Sequence, residues 1–249
     1  MPCMPPDFQR QRGVALFAVM VFVMLSLLLT LWASRTSLFN EMVVGNDADY
    51  QRAFEAAQAL LQDAELDIRG ENADGSTCTG NDDICRSGTA DRIPLEAQDV
   101  GPQLAALEQQ GTGCRNGLCA KRAGKQDFWN NADAARGPTL AQMASPGVGA
   151  RYGQYTGAAT GSAGKPVHPI LADTSAGDRG GWYWIEVLPY DSSSKSSGLI
   201  ADNAGAPGKL LPLHLTPGVV YRITALAYGL RPGTMAVLQQ TYAQQKRKD

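Results

Sequence analysis

The chain has 249 residues, a formal net charge of −2 and a pI near 5.7, with 44% hydrophobic and 18% charged residues. That balance offers no basic patch of the kind a nucleic-acid-binding surface needs, and the length exceeds one typical domain without requiring two large ones. The 27 glycines and 14 prolines concentrate after residue 70, which predicts a second half rich in loops.

The first element in chain order is apolar. From Val14 to Ser34 no charged residue interrupts the run VALFAVMVFVMLSLLLTLWAS, 21 residues in all. As an α-helix this is about 31 Å long, the hydrocarbon thickness of a bilayer. One buried charge would cost about 2.5–3.5 kcal/mol on insertion scales, so a charge-free run of this length predicts a single membrane-spanning helix over 14–34. Arg10 and Arg12 precede it, Asp7 is the single acid among the first thirteen residues, and Cys3 lies in the same short segment. The positive-inside rule keeps that end cytoplasmic and exports the bulk of the chain, although Arg35 weakens the asymmetry slightly. Trp32 stands where an interfacial aromatic is expected.

An ordinary secretory signal has an apolar core of about 7–15 residues and a small-residue cleavage site, which this longer run does not match. A plain uncleaved anchor is the simplest alternative. The polar-to-apolar switch falls at Gln11-Arg12-Gly13-Val14, with glycine immediately before the apolar run. This resembles a prepilin signal, in which a short basic leader ends in glycine, a membrane aspartyl protease cuts after it, and the new N-terminal residue is methylated. The resemblance implies a leader over 1–13 and cleavage between Gly13 and Val14.

Helical periodicity continues beyond the span, over 35–70. Tyr50, Phe54, Ala57, Leu61, Ala64 and Ile68 recur at three- and four-residue steps, while Asp49, Arg52, Glu55, Gln58, Gln62 and Asp63 fill the other positions. Gly45-Asn46 interrupts the run, and glycine costs about 1 kcal/mol in a helix interior, which predicts a kink or a locally melted turn there. Gly70 is a natural left-handed cap, so the helix should end beside it.

Residues 71–249 should form a globular head. Gly181–Leu188 is aromatic and β-branched, and is bounded by glycine and Pro189. Residues 219–228 alternate in polarity, Gly229-Leu230-Arg231-Pro232-Gly233 is a turn cluster, and 234–242 reads as a return strand. The prediction is an antiparallel sheet of at least three strands beside one long helix, an α+β arrangement with long loops. Only one alternating set, Trp184 or Ile185 with Val187, can point at that helix. The Gly-, Ala- and Ser-rich stretches 144–181 and 191–209 read as long surface loops or partly disordered segments.

Cys78, Cys85, Cys114 and Cys119 are an even set in an exported head and read as disulfides. Three connectivities are open. Cys78–Cys85 with Cys114–Cys119 is favoured, because each pair closes a short loop with polar turn residues inside. These spacings are not those of zinc sites, and only His168 and His214 could assist, so no metal is expected. Asn72, Asp74, Asn81, Asp82 and Asp83 lack EF-hand spacing and read as solvated loop. With no nucleophile motif, P-loop or dinucleotide fingerprint, neither an enzyme nor a cofactor is expected. Lys246-Arg247-Lys248 reads as a solvated terminus.

Taken together, Gln11-Arg12-Gly13, Arg35-Thr36-Ser37, Met42-Val43-Val44-Gly45-Asn46 and Ala53-Phe54-Glu55-Ala56-Ala57 resemble the N-terminal domain of the PilX family of minor pilins. Tyr221–Ala225 and Val237–Tyr242 are similar to that family's last hairpin, and Cys114-Arg115-Asn116-Gly117-Leu118-Cys119 to a short Cys loop in its heads. The resemblance covers about the first 65 and the last 30 residues. It implies a type IV pilin-like fold and a minor pilin that primes or supports pilus assembly within a tip complex. The implied partners are other minor and major pilins, the prepilin peptidase, the inner membrane and a large tip adhesin, with no nucleic acid. The implied location is the inner membrane with the head in the periplasm, followed by assembly into the extracellular pilus. Gln58 stands where the family often has glutamate, and Ala18 where major pilins carry a glutamate thought to neutralise a neighbour's amino terminus. Some tip subunits, including the K-type pseudopilin of type II secretion, also lack it, which points to a tip position. The alternatives are a minor pseudopilin of type II secretion and a single-pass anchored adhesion protein.

Overall fold

The computed structural model describes residues 12–78, 84–86, 91–122, 126–158, 168–189 and 219–243. Helix α1 spans Arg12–Arg69, 58 residues. The chain divides into two compact units, Met1–Ala48 and Asp49–Asp249.

In the first unit every side chain of α1 from 14 to 44 is exposed. Hydroxyls within this apolar stretch turn back onto the helix. Ser26 Oγ donates to Phe22 O at 2.8 Å, Thr30 Oγ1 to Leu27 O at 2.9 Å and Thr36 Oγ1 to Trp32 O at 3.0 Å. Each polar atom is thereby satisfied without water, as an apolar surrounding requires. Helical hydrogen bonding runs through Gly45-Asn46, so the locally melted turn expected there is absent. One glycine costs only about 1 kcal/mol, too little to stop propagation between good helix formers.

In the second unit α1 ends in a Schellman motif. Gly70 takes φ +66°, its N–H donates to Asp67 O at 3.2 Å, and Glu71 N–H donates to Leu66 O at 2.9 Å. The buried face is Ala53, Ala56, Ala57, Leu60, Leu61, Ala64 and Ile68. It is rotated from the stripe expected from spacing: Tyr50 is 48% exposed, whereas Asp63, placed by pattern on the polar face, is 2% exposed. Alanines at the centre of the face let the sheet approach the helix backbone, and that approach rather than residue size sets which side is buried.

Helix α2 (Ala97–Glu108) adds Val100 and Leu107 to the same core. Strands β1 (Cys114–Arg115), β2 (Leu118–Cys119), β3 (Ala150–Arg151), β4 (Gly181–Pro189), β5 (Val219–Tyr228) and β6 (Met235–Tyr242) form one sheet in the order β1-β2-β4-β5-β6, with β3 also on β4. Strand β5 lies antiparallel between β4 and β6, with Trp184 opposite Thr224 and Leu226 opposite Val237. The sheet is not purely antiparallel as expected: β2 runs parallel to β4, pairing Leu118 with Ile185. That strand is one arm of a tight hairpin whose direction is set by its own turn, so it docks on β4 in whichever sense the loop presents.

The two faces of β4 bury different sets. Tyr183, Ile185 and Val187 join the α1 core, while Trp182 and Trp184 join a second core with Phe128, Met143 and Leu226. Strand alternation forces this split. Phe128 meets Trp184 edge-on with ring centroids 4.7 Å apart, and Trp184 Nε1 donates to Met143 O at 3.1 Å. Met143 closes the short helix α3 (Leu140–Met143), which starts with a capping box of Thr139 and Gln142. The described part of 144–181 is not a solvated loop. Ala150, Thr156, Ile170 and Leu171 are buried there, because the backbone of this turn-rich stretch folds under α1 and over the tryptophans. Residues 191–209 lie outside those described.

Candidate assembly surfaces

Gly13 and Val14 stand in the first turn of α1, and Val14 is exposed. Ala18 and the large apolar residues after it, among them Phe22, Leu25, Leu28 and Trp32, present an apolar surface on every side of the helix. Such a helix is stable only among lipid tails or against other apolar helices. This one apolar helix therefore suits a membrane anchor.

The head holds its share of α1 through three carboxylates, none of which the apolar pattern reveals. Asp49 accepts from Leu230 N at 2.9 Å and Arg231 N at 3.0 Å in the β5–β6 turn. Burial opposes its ionisation, yet those amide bonds hold its pKa below the usual carboxylate value. Asp63 accepts from Gly153 N at 2.7 Å and from the Thr156 hydroxyl. There burial prevails, and its pKa is raised to about 6. Asp67 forms a bidentate pair with Arg86, at 2.7 Å from Nε and 2.8 Å from Nη2, and accepts from Tyr183 Oη at 2.8 Å. Burial works against the Arg86 cation, but Asp67 outweighs it and raises the guanidinium pKa. The signal that could have found these acids is their register. Asp63 and Asp67 are four residues apart and flank the alanine face, so both must enter the interface with the sheet.

Cys78 is bonded to Cys85 and Cys114 to Cys119, with Cα atoms 6.0 Å and 4.1 Å apart. The second bond crosses the β1–β2 hairpin between directly opposed residues. Its turn is Asn116-Gly117, with φ +51° and +80°. A two-residue hairpin with a type I′ turn needs positive φ at both positions, and Asn-Gly is a preferred pair for it. That dipeptide between two cysteines was a hairpin signal available in the sequence. A Cβ on Gly117 would also collide with Ala150. Arg86, next to Cys85, donates to Asn116 O at 2.8 Å and stacks on Tyr155 with its guanidinium carbon 3.8 Å from the ring centroid. One buried arginine thus ties α1, the Cys78–Cys85 loop and the hairpin together.

A second ionic cluster joins the neighbouring strands β4 and β5, where Glu186 lies opposite Arg222. Glu186, fully buried, accepts from Arg122 N at 3.1 Å, Arg122 Nε at 3.2 Å and Arg222 Nε at 2.6 Å. Burial would raise its pKa, but the two guanidiniums lower it overall.

The remaining candidates do not gather into a site. Asp74 accepts from Ser76 N and Oγ, and Asn72 donates to Ser76 Oγ, closing a turn; Asn81, Asp82 and Asp83 lie outside the described residues. Among the described residues no group of three metal-ligating side chains forms. His168 accepts from Leu171 N at 3.3 Å within its own turn, and burial lowers its pKa. His214 and the Lys246–Lys248 tail lie outside the described residues.

Comparison with protein families matches the type IV pilus assembly protein PilX C-terminal model over residues 115–244, just over half of the chain. This chain belongs to the PilX family. The matched region begins inside the β1–β2 hairpin and ends just past β6, so it takes in strands β2 to β6. No curated protein and no solved structure matches it. The fold is the α+β arrangement expected of a pilin, a long N-terminal helix whose second half packs on a sheet. As a type IV pilus assembly protein of the PilX family, the chain has other pilus components as its partners.

Proposed function

We propose that this PilX-family chain is a minor pilin, a structural subunit rather than an enzyme, that primes or supports pilus assembly within a tip complex of minor pilins. One observation carries the reading: a helical surface that is charge-free from 14 to 34 and exposed throughout, with Ala18 in place of a carboxylate. The apolar surface serves first as an inner-membrane anchor and then as the contact with the helices of other pilins. Without a carboxylate at Ala18 the helix has no group to neutralise the amino terminus of an earlier subunit, which fits a subunit that has none before it. Prepilin peptidase cleaves between Gly13 and Val14, and Val14 is then methylated. The head is exported to the periplasm, where Cys78–Cys85 and Cys114–Cys119 form under oxidising conditions.

Mass spectrometry of the mature protein tests the processing step. The expected species begins at methylated Val14 and contains both disulfides; an intact 1–13 leader would sink the reading. Immunogold labelling tests the position. Label confined to filament ends is expected, and label along the whole shaft would overturn the tip assignment.

A further inference from the structure

Among the described residues the sheet order ends at β6. This edge strand has eight residues, all paired with β5 without a bulge, whereas β1 and β3 have two residues each. The register identifies which of its backbone groups are spare. Gly229 N–H donates to Thr234 O at 2.9 Å, while Tyr228 N–H turns the other way, to Gly180 O at 2.9 Å. Hydrogen-bonded and non-hydrogen-bonded pairs alternate along an antiparallel ladder. Ala236, Leu238, Gln240 and Tyr242 therefore bond to β5, and the N–H and C=O groups of Val237, Gln239 and Thr241 point out of the sheet. Among the described residues none of these outward groups has a backbone partner.

Long edge strands are ordinarily blunted by a charge, a proline or a bulge, because an open ladder is a template for another chain. Met235–Tyr242 contains no charged residue, proline or glycine. Both cores also run out to this edge. Val237 packs on the tryptophan core and Leu238 and Tyr242 on the α1 core, and each is only half-buried. Gln239 and Thr241 are exposed. A strand laid alongside would complete the ladder and cover side chains on both faces at once.

We propose that β6 takes up, by strand addition, an extended uncharged segment of another pilus component that ends in acidic residues. The ladder groups of Val237, Gln239 and Thr241 supply the main-chain bonds, and the half-buried side chains select small or apolar residues at alternate positions. The acidic end answers the charge beyond the strand, where Lys246, Arg247 and Lys248 stand against the single acid Asp249. A second copy of this chain is the poorer occupant. Antiparallel self-pairing centred on Gln239 continues to a register with Arg247 of one copy opposite Arg231 of the other, which sets like charges together. Leader cleavage and tip position leave this edge unchanged, so its test is independent of the processing and labelling experiments.

The test is amide hydrogen exchange of the full chain in detergent micelles, read residue by residue by heteronuclear NMR. The probes are a short peptide of alternating valine and threonine with an aspartate at each end, its lysine-ended counterpart, and the aspartate-ended peptide with proline in place of threonine. Without peptide, the amides of Val237, Gln239 and Thr241 are expected to exchange fast and those of Leu238 and Gln240 slowly. The aspartate-ended peptide at millimolar concentration should slow the three outward amides about tenfold or more, and the proline peptide should leave them unchanged. Outward amides already protected in dilute protein overturn the open edge, and protection that grows with protein concentration identifies a second copy as the occupant and overturns the proposed partner. Absence of any slowing overturns the site, and equal slowing by the lysine-ended peptide overturns the acidic partner. Gln239→Pro removes only an outward N–H, which an edge strand tolerates, and should preserve the circular dichroism spectrum while abolishing the peptide's effect on Val237 and Thr241. Should that variant fail to fold, Thr241→Glu changes an exposed side chain and should weaken the aspartate-ended peptide about tenfold by like-charge repulsion. Unchanged peptide affinity in the folded variant overturns the site.

Discussion

At the residue scale, the head is held by charges that could not sit where they do without their partners. Asp63 ionises with a pKa of about 6, above the usual value of 3.8. A carboxyl with a raised folded-state pKa binds its proton more tightly when folded. Its contribution therefore favours folding fully below about pH 4 and is lost as pH rises through about 6. The two-unit difference corresponds to about 3 kcal/mol. Asp63→Asn keeps an acceptor for Gly153 or Thr156 but cannot ionise. The midpoint of thermal unfolding in this variant is expected to decline less than that of the native chain between pH 4 and 7; parallel curves would show that Asp63 is ionised throughout. Asp67 and Arg86 behave differently, because both are charged and nearly fully buried. Arg86→Ala leaves the carboxylate without its partner and is expected to destabilise the head by about 3–5 kcal/mol, measured by denaturant unfolding. A loss below about 1 kcal/mol would mean that water reaches Asp67.

At the element scale, strand β4 is the centre of the head. Its odd-numbered residues from Tyr183 face α1, and its even-numbered tryptophans face the layer over 126–148. Sequence alternation leaves open which set faces the helix; the structure places Ile185 and Val187 there and gives Trp184 a core of its own. Ile185→Ala should cost about 2–5 kcal/mol and Trp184→Ala about 3–5 kcal/mol. Near-ultraviolet circular dichroism separates them: Ile185→Ala is expected to retain the tryptophan signal that reports the Phe128–Trp184 contact. If both substitutions cost little, the two-sided packing is wrong.

At the scale of the whole molecule, a membrane-type helical surface and a disulfide-bonded head occur in one chain of the PilX family. The head carries buried charges in ion-paired clusters, whereas the 14–34 segment carries none at all. A charge placed there meets the insertion cost directly. Leu25→Arg should reduce membrane insertion by about 2.5–3.5 kcal/mol, seen as protein lost from the membrane fraction after alkaline extraction. Unchanged fractionation would show that the segment is not held by lipid.

Much of this protein was legible in its residues because the relevant forces are local or periodic. The absence of charge from Val14 to Ser34, the cap at Gly70 and the turn cluster between β5 and β6 each depend on a few neighbours in sequence, and each predicts its element. What the tertiary structure alone decided depends on groups far apart in the chain. Asp49, Asp63 and Asp67 look like an ordinary polar face until the segments at 230, 153 and 86 arrive to satisfy them. The stretch 144–181 reads as solvated loop by composition, yet its apolar residues are drawn under α1 and its backbone closes over two tryptophans. The parallel pairing of β2 with β4 follows from where a six-residue hairpin docks. Burial of a charge, like the register of a non-local strand, is settled by its partners, and no local pattern names them.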